Sequence, residues 1–157
     1  MAKRVKIGDI FEISTSIGFA YAQYTHSHDD YGYLIRVFDR RYPKRPSNFD
    51  AVHQLPVQFS TFYPLQTALN KSVNVVVAWA EVRKDLQAFP TFRAGNFADP
   101  SKHVKVWFLW TGDSAADLER VERLSAKQRR MPILECWNDG ALVDAVETGW
   151  RPETDPR

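Results

Sequence analysis

Three β-patterned segments within residues 8–38 constrain the fold of this chain more than any other feature. Each combines apolar and aromatic side chains in the short runs that are typical of strands. They are "GDIFEIS" (residues 8–14), "GFAYAQYT" (residues 18–25) and "YGYLIRVF" (residues 31–38). Ser16 and Gly18 favour a turn in the first gap, and the polar stretch "HSHDD" favours one in the second. Gaps this short join antiparallel neighbours, so the pattern predicts an N-terminal β-meander.

The later segments predict an α+β domain in which helices lie mainly in the C-terminal third. The β-branched run at residues 73–82 is expected to be the central strand of a mostly antiparallel, twisted sheet. A first helical pattern occupies residues 117–130, with Ser114 and Asp117 as a capping box. A second occupies residues 138–150.

Length and charge limit the possible classes of protein. The chain has 157 residues, of which 44% are hydrophobic, and we expect residues 1–150 to form one globular domain. Residues 151–157 contain two prolines and no large apolar side chain, so they are predicted to be a flexible tail. The net charge of +2 favours neither nucleic acid nor anionic membranes as a partner. With no long apolar run or secretory leader pattern, we expect a soluble cytoplasmic protein.

The same N-terminal segments carry a family resemblance. "KIGDIFEI" (residues 6–13), "GFAYAQY" (residues 18–24) and "YGYLIRVF" (residues 31–38) resemble the immunity protein 26 family of small bacterial proteins, thought to neutralise polymorphic toxins. In that family a "GDIFEI"-type strand is followed closely by a glycine turn and an aromatic strand. The resemblance covers mainly residues 6–38. It implies an immunity-like domain that binds a toxin domain without catalysis, and it assigns no functional residue.

The stretch "YTHSHDDYG" (residues 24–32) contains side chains that could bind a metal. His26 and His28 lie on one face of an extended segment, but a metal site needs further ligands from elsewhere in the fold. Asp29 and Asp30 are typical turn residues. We therefore expect an exposed hairpin tip and no metal, and a metal-dependent hydrolase is the less favoured alternative. Replacing both histidines by Ala should then change stability by no more than about 0.5 kcal/mol.

No catalytic motif is present, so we do not expect an enzyme or a cofactor. The single cysteine, Cys136, excludes an intrachain disulfide and follows an apolar run that favours a buried, unreactive thiol. A set of Cys136, His103 and Asp139 can be assembled from the sequence, but such sets arise by chance in many chains.

Two basic clusters leave nucleic-acid binding as an alternative. They contain Arg36, Arg40, Arg41, Lys44 and Arg45 in the first half, and Arg120, Arg123, Lys127, Arg129 and Arg130 in the second. If the fold brought them to one face, the surface would suit a phosphate backbone or, equally, an acidic protein. The low net charge favours two separate solvated clusters.

The favoured hypothesis is a protein-binding surface made of exposed charges and one aromatic anchor. Trp110 is expected to supply the anchor, because exposed aromatic side chains beside arginines are common at interfaces. The residues predicted to contact the partner are Asp29, Asp30, Arg36, Arg40, Arg41 and Trp110. The sequence predicts neither the toxin nor the oligomeric state.

Overall fold

A computed structural model describes residues 3–95, 103–113 and 118–157. A five-stranded antiparallel sheet has the order β4-β3-β2-β1-β5, and a three-stranded antiparallel sheet has the order β6-β7-β8. The strands are β1 (Asp9–Thr15), β2 (Gly18–His28), β3 (Gly32–Phe38), β4 (Val57–Phe62), β5 (Val75–Trp79), β6 (Phe92–Gly95), β7 (Trp107–Trp110) and β8 (Glu119–Val121). The helices are α1 (Asp50–His53), α2 (Leu65–Asn70), α3 (Ala126–Arg129) and α4 (Asp139–Thr148), with 3₁₀ turns at Lys84–Leu86 and Pro152–Thr154. The predicted α+β class is confirmed.

The predicted N-terminal meander is also confirmed, since β1, β2 and β3 pair consecutively as antiparallel neighbours. At the first turn Gly18 has φ +121, and a Cβ there would lie 2.6 Å from the carbonyl oxygen of Tyr42, so the turn requires glycine. The second turn is shorter than predicted, because His26 and His28 belong to β2.

One face of the large sheet packs against helices and forms the main core. Its inward side chains include Phe11, Ile13, Ile35 and Val37, which cluster with the buried side of α4. The local signals for α4 were correct: the Asn138 side chain accepts a hydrogen bond from the Ala141 N–H at 2.8 Å, and Gly149 ends the helix with φ 68. This face is an ordinary hydrophobic layer.

The opposite face carries a polar row between two apolar clusters. One cluster contains Ile10, Tyr21, Phe38 and Val52, and the other contains Leu34, Phe62, Phe92 and Trp110. Gln23, Arg36 and Ser60 are direct cross-strand partners on β2, β3 and β4. Because side chains alternate along a strand, Arg36 shares this face with Phe38 of the first cluster and Leu34 of the second. All three polar side chains are buried.

The expectation that residues 73–82 form the central strand is wrong. Within the described residues β5 pairs only with β1, so it is an edge strand. Its Val75 and Trp79 side chains are 46% and 55% exposed. A β-branched run specifies a strand but does not specify how many neighbours it acquires.

The prediction of one long helix over residues 117–130 is also wrong. Residues 119–121 pair with β7 as β8 instead of forming a helix, and the following helix, α3, has only four residues, Ala126–Arg129, capped by Ser125. The proposed capping pair Ser114 and Asp117 lies outside the described residues.

The segment expected to be a flexible tail packs against the domain. Pro152 and Asp155 are buried, and the Arg157 guanidinium lies 2.8 Å from Glu135 and 2.9 Å from Asp155. Ion pairs and a buried proline hold these residues in place despite their polar composition. Across the described part of the chain, the helices are all too short or too polar to cross a membrane.

Candidate functional site

A cleft of about 540 Å³ lies where β2 turns into β3 and β7 ends. The hairpin contributes His28, Asp29, Asp30 and Tyr31, the last residue of β7 contributes Trp110, and the segment after it contributes Asp113. The fold therefore brings three of the predicted partner-binding residues, Asp29, Asp30 and Trp110, to one place. We call this site the acidic cleft.

His28 connects the two segments that form the acidic cleft. Its Nδ1 accepts hydrogen bonds from the backbone N–H groups of Asp30 at 3.1 Å and Tyr31 at 3.3 Å. The ring proton therefore lies on Nε2, which donates to the carbonyl oxygen of Gly112 at 2.9 Å. A single imidazole thus fixes both the hairpin turn and the loop opposite it.

Aromatic rings form the base of the acidic cleft. The Trp110 ring centroid lies 5.0 Å from that of His28 and 5.1 Å from that of Tyr31, and Tyr31 lies 5.2 Å from Phe62. Trp110 is only 6% exposed, so the expectation that it is an exposed anchor is wrong. Its Nε1 donates to the carbonyl oxygen of Asp113 at 2.8 Å, which satisfies the indole where it packs. Tyr31, at 39% exposed, is the accessible ring.

The rim of the acidic cleft carries negative charge. Asp29, Asp30 and Asp113 are exposed, and no Lys or Arg among the described residues lines the cleft. Carboxylates attract a cationic group through their charge, and an exposed aromatic ring in the same cleft attracts it through the ring quadrupole. The geometry suits a Lys or Arg side chain from a partner.

Both histidines of the region use their ring nitrogens inside the protein. The Nε2 of His26 lies 2.7 Å from the carbonyl oxygen of Gln87, and its Nδ1 lies 2.9 Å from the Thr25 hydroxyl oxygen. In the described parts of the chain no three His, Cys, Asp or Glu side chains lie close enough together to hold a metal ion. The two imidazoles act as structural connectors, and neither is an exposed hairpin-tip group.

The predicted arginines divide into two groups. Arg40 and Arg41 are exposed as expected: Arg40 stacks on the Tyr42 ring at 4.7 Å, and Arg41 donates to the carbonyl oxygen of Val146 at 3.0 Å. Arg36 is only 6% exposed, so the expectation that it lies on an exposed surface is wrong. The alternation of β3 turns its side chain into the polar row described above.

Acidic neighbours neutralise part of both basic clusters. Arg45 binds Glu12 through its Nε at 2.8 Å, and Arg120 lies 3.2 Å from Glu122. The Arg45 guanidinium, helped by the Tyr21 hydroxyl, holds the pKa of Glu12 below its usual range against the opposing effect of burial. The fold nevertheless brings Arg36 and Arg130, one from each cluster, to a shared pocket.

The other catalytic candidate does not assemble. Cys136 is exposed, which contradicts the expectation of a buried thiol. Neighbouring atoms still remove part of the water around its sulfur, and this desolvation raises the pKa of the thiol. No hydrogen bond joins Cys136, His103 and Asp139 in the described structure.

Sequence reasoning missed Tyr31 and Asp113 as members of the site. The dipeptide Gly112-Asp113 is a turn signal, and Gly112 has φ +97, but no local pattern indicates that this turn faces the hairpin at residues 29–31. The pairing of the two turns is a tertiary contact.

Comparisons with known proteins found no match: no family model, no curated protein and no solved structure is significantly similar to this chain. The resemblance of residues 6–38 to the immunity protein 26 family stays a prediction. The functional argument therefore depends on the geometry of this chain's own residues.

Proposed function

We propose that this chain is a non-catalytic immunity-type protein that binds and neutralises a cognate bacterial toxin domain in the cytoplasm. The acidic cleft would receive a Lys or Arg side chain of the toxin. The observation that carries the proposal is that three exposed carboxylates, Asp29, Asp30 and Asp113, line the same cleft as the Tyr31 and Trp110 rings. The N-terminal resemblance supports the same conclusion.

The carboxylates and the rings would contribute differently to binding. Exposed carboxylates act at long range, so they mainly raise the rate at which a basic partner associates. The half-exposed Tyr31 ring would contact the bound cation and slow its release. Salt should therefore slow the association that the carboxylates promote more than it speeds the dissociation that the Tyr31 ring opposes.

The test is co-expression with the toxin domain of a neighbouring reading frame, followed by measurement of complex formation with purified proteins. We expect protection of the cells and a stable complex. The double variant Asp29→Asn, Asp30→Asn should slow association about tenfold at low salt. Tyr31→Ala should mainly speed dissociation.

The matched control is Asp144→Asn, which removes an exposed carboxylate from α4, outside the cleft. This variant should associate at the wild-type rate. Undiminished toxicity despite soluble expression of both proteins would contradict the toxin-binding proposal. An equal effect of Asp144→Asn and the double variant would contradict the placement of the contact in the acidic cleft.

A further inference from the structure

A second cavity, of about 310 Å³, lies beside the β3–β4 pair and contains three arginines. Arg36 comes from β3, Arg130 follows α3, and Arg151 precedes the C-terminal 3₁₀ turn. Residues 57–60 of β4 form one wall and Pro152 forms part of another. We call this site the arginine pocket. It shares no lining residue with the acidic cleft, so a ligand could bind here whether or not a toxin binds there.

Arg36 is a buried cation without a buried counter-charge. It is 6% exposed, and its Nε and Nη1 each donate to a hydroxyl at 3.2 Å, those of Thr25 and Ser60. No described carboxylate lies within ion-pair distance of Arg36, and its Nη2 donates to no described residue. Burial lowers the pKa of Arg36 to about 10, with only partial compensation from the charge of Asp85.

A buried guanidinium without a counter-ion is costly, because its charge loses hydration and gains no opposite charge. The two hydroxyls nevertheless hold the planar fork in a fixed orientation, which lowers the cost of binding an anion. An oxyanion at Nη2 would receive charge-assisted hydrogen bonds and supply the missing counter-charge.

The other charged side chains of the arginine pocket also favour the binding of an anion. Arg130 is exposed, whereas Arg151 is partly neutralised by Asp39 at 2.6 Å. Glu153 is the one carboxylate that lines the pocket among the described residues. Three guanidiniums against one carboxylate leave the lining positively charged.

We propose that the arginine pocket binds the phosphate group of a small molecule, with Arg36 as the buried contact and Arg130 at the entrance. A volume of about 310 Å³ matches the small end of ligand pockets, so a compact phosphate compound fits. Duplex recognition, by contrast, requires an extended basic track. The pocket does not identify the rest of the ligand.

The test measures the melting temperature and the binding heat of the full chain against inorganic phosphate and glycerol 3-phosphate, with chloride added to keep ionic strength constant. We expect saturable binding and a rise in Tm with at least one phosphate probe and not with chloride. Binding of inorganic phosphate alone would assign the pocket to the free ion, and tighter binding of glycerol 3-phosphate would assign it to a phosphomonoester.

The deciding variant is Arg36→Met, which keeps an unbranched, flexible side chain, although a shorter one, and removes a charge that is costly to bury, so it should fold. It should weaken phosphate binding about tenfold or more. Arg130→Gln, at the rim, should weaken it less and tests the same site if Arg36→Met does not fold. Arg40→Gln, an exposed arginine that does not line the pocket, is the control and should bind as wild type does.

Three outcomes would overturn the proposal. The first is that neither phosphate probe binds the wild-type chain. The second is an equal response of wild type, Arg36→Met and Arg130→Gln to phosphate. The third is tighter binding of a single-stranded oligonucleotide with a steep salt dependence, which would assign the basic side chains to nucleic acid instead.

Discussion

The acidic cleft and the arginine pocket are opposite in charge and in the way they are built. Two short chain segments, residues 27–31 and 110–113, supply the cleft, and its carboxylates are exposed. The arginine pocket combines residues from β3, β4, the end of α3 and the C-terminal segment, and its deepest charge is buried. Exposed charge can be placed by local turns, whereas buried charge requires the surrounding fold to hold it in position.

The two sites also differ in what supports them. The cleft lies on an aromatic cluster that includes Phe62 and Phe92. The arginine pocket depends on Arg93, which is fully buried, stacks on the Trp107 ring at 4.3 Å and donates from Nη2 to the carbonyl oxygen of Pro152 at 2.6 Å. Apolar packing supports one site, and a buried cation supports a wall of the other. Substitutions at Phe62 and Arg93 separate these two contributions.

Phe62→Ala should destabilise the protein most. Phe62 is fully buried and its ring centroid lies 5.3 Å from Phe92 and 5.2 Å from Tyr31, so truncation removes packing beneath the cleft. We expect a loss of about 3–5 kcal/mol in the free energy of unfolding, measured by denaturant titration. Phe108→Ala, at a position that is 39% exposed in β7, is the matched control and should lose less than about 1 kcal/mol. Equal losses would show that the aromatic cluster is not the main support of the cleft.

Arg93→Ala should cost about 3 kcal/mol, because it leaves a cavity beside Trp107 and removes the donor to the Pro152 carbonyl. Phosphate binding in the arginine pocket should weaken as well, since Pro152 lines that pocket. Denaturant titration and a phosphate titration below the melting temperature measure the two effects. Arg120→Ala, at an exposed arginine, provides the comparison. A loss below about 0.5 kcal/mol would mean that the C-terminal segment does not need this anchor.

His28→Ala should cost about 1–3 kcal/mol, more than the sequence predicted for an exposed hairpin tip. The variant leaves the Gly112 carbonyl and two turn N–H groups without their partner and removes the ring contact to Trp110. Chemical denaturation measures the change, with His103→Ala at an exposed site as the reference. If the two variants lose the same small amount, the imidazole is not what connects the hairpin to the loop.

His26 should make stability depend on pH. Burial lowers the pKa of His26 below its ordinary value of about 6.5, with the nearby charge of Arg36 acting in the same direction and the hydrogen bond to the Gln87 carbonyl opposing it. As pH falls through that value the unfolded chain takes up a proton that folded His26 resists, so stability is present above about pH 6.5 and declines below it until the folded pKa is reached. His26→Gln should flatten this decline in unfolding free energies measured between about pH 7 and pH 5. An unchanged slope, or a flattening matched by His103→Gln, would contradict this assignment.

Much of the N-terminal fold could be predicted because its signals are local. Gly18 and the alternation of residues 18–25 specify a hairpin without reference to the rest of the fold. Asn138 caps the first turn of α4 and Gly149 ends its last turn, so both ends of this helix are set by residues next to it in the chain. The candidate site was predicted in part for the same reason. Asp29 and Asp30 are turn residues, and turn residues are exposed.

Other predictions failed where neighbours override local preference. Leu118, Val121 and Leu124 have helical spacing, yet Val121 pairs with Trp107 in a strand. Hydrogen bonding to β7 outweighs a helix propensity that differs by only tenths of a kcal/mol per residue. Similarly, Arg36 looks like any surface arginine in the sequence, and only the register of β3 with β4 places it opposite Ser60 and out of solvent.

The sequence by itself determined the strand meander, the ends of α4, the α+β class and the exposed carboxylates of the hairpin, because periodicity, turn chemistry and capping act over a few residues. Only the tertiary structure decided that β5 lies at an edge, that His28 joins two distant segments and that Arg36 and Arg130 meet in one pocket. These outcomes depend on which surfaces pack against each other and become buried. Burial and charge pairing are properties of contacts between residues far apart in the chain, and a local pattern does not encode them.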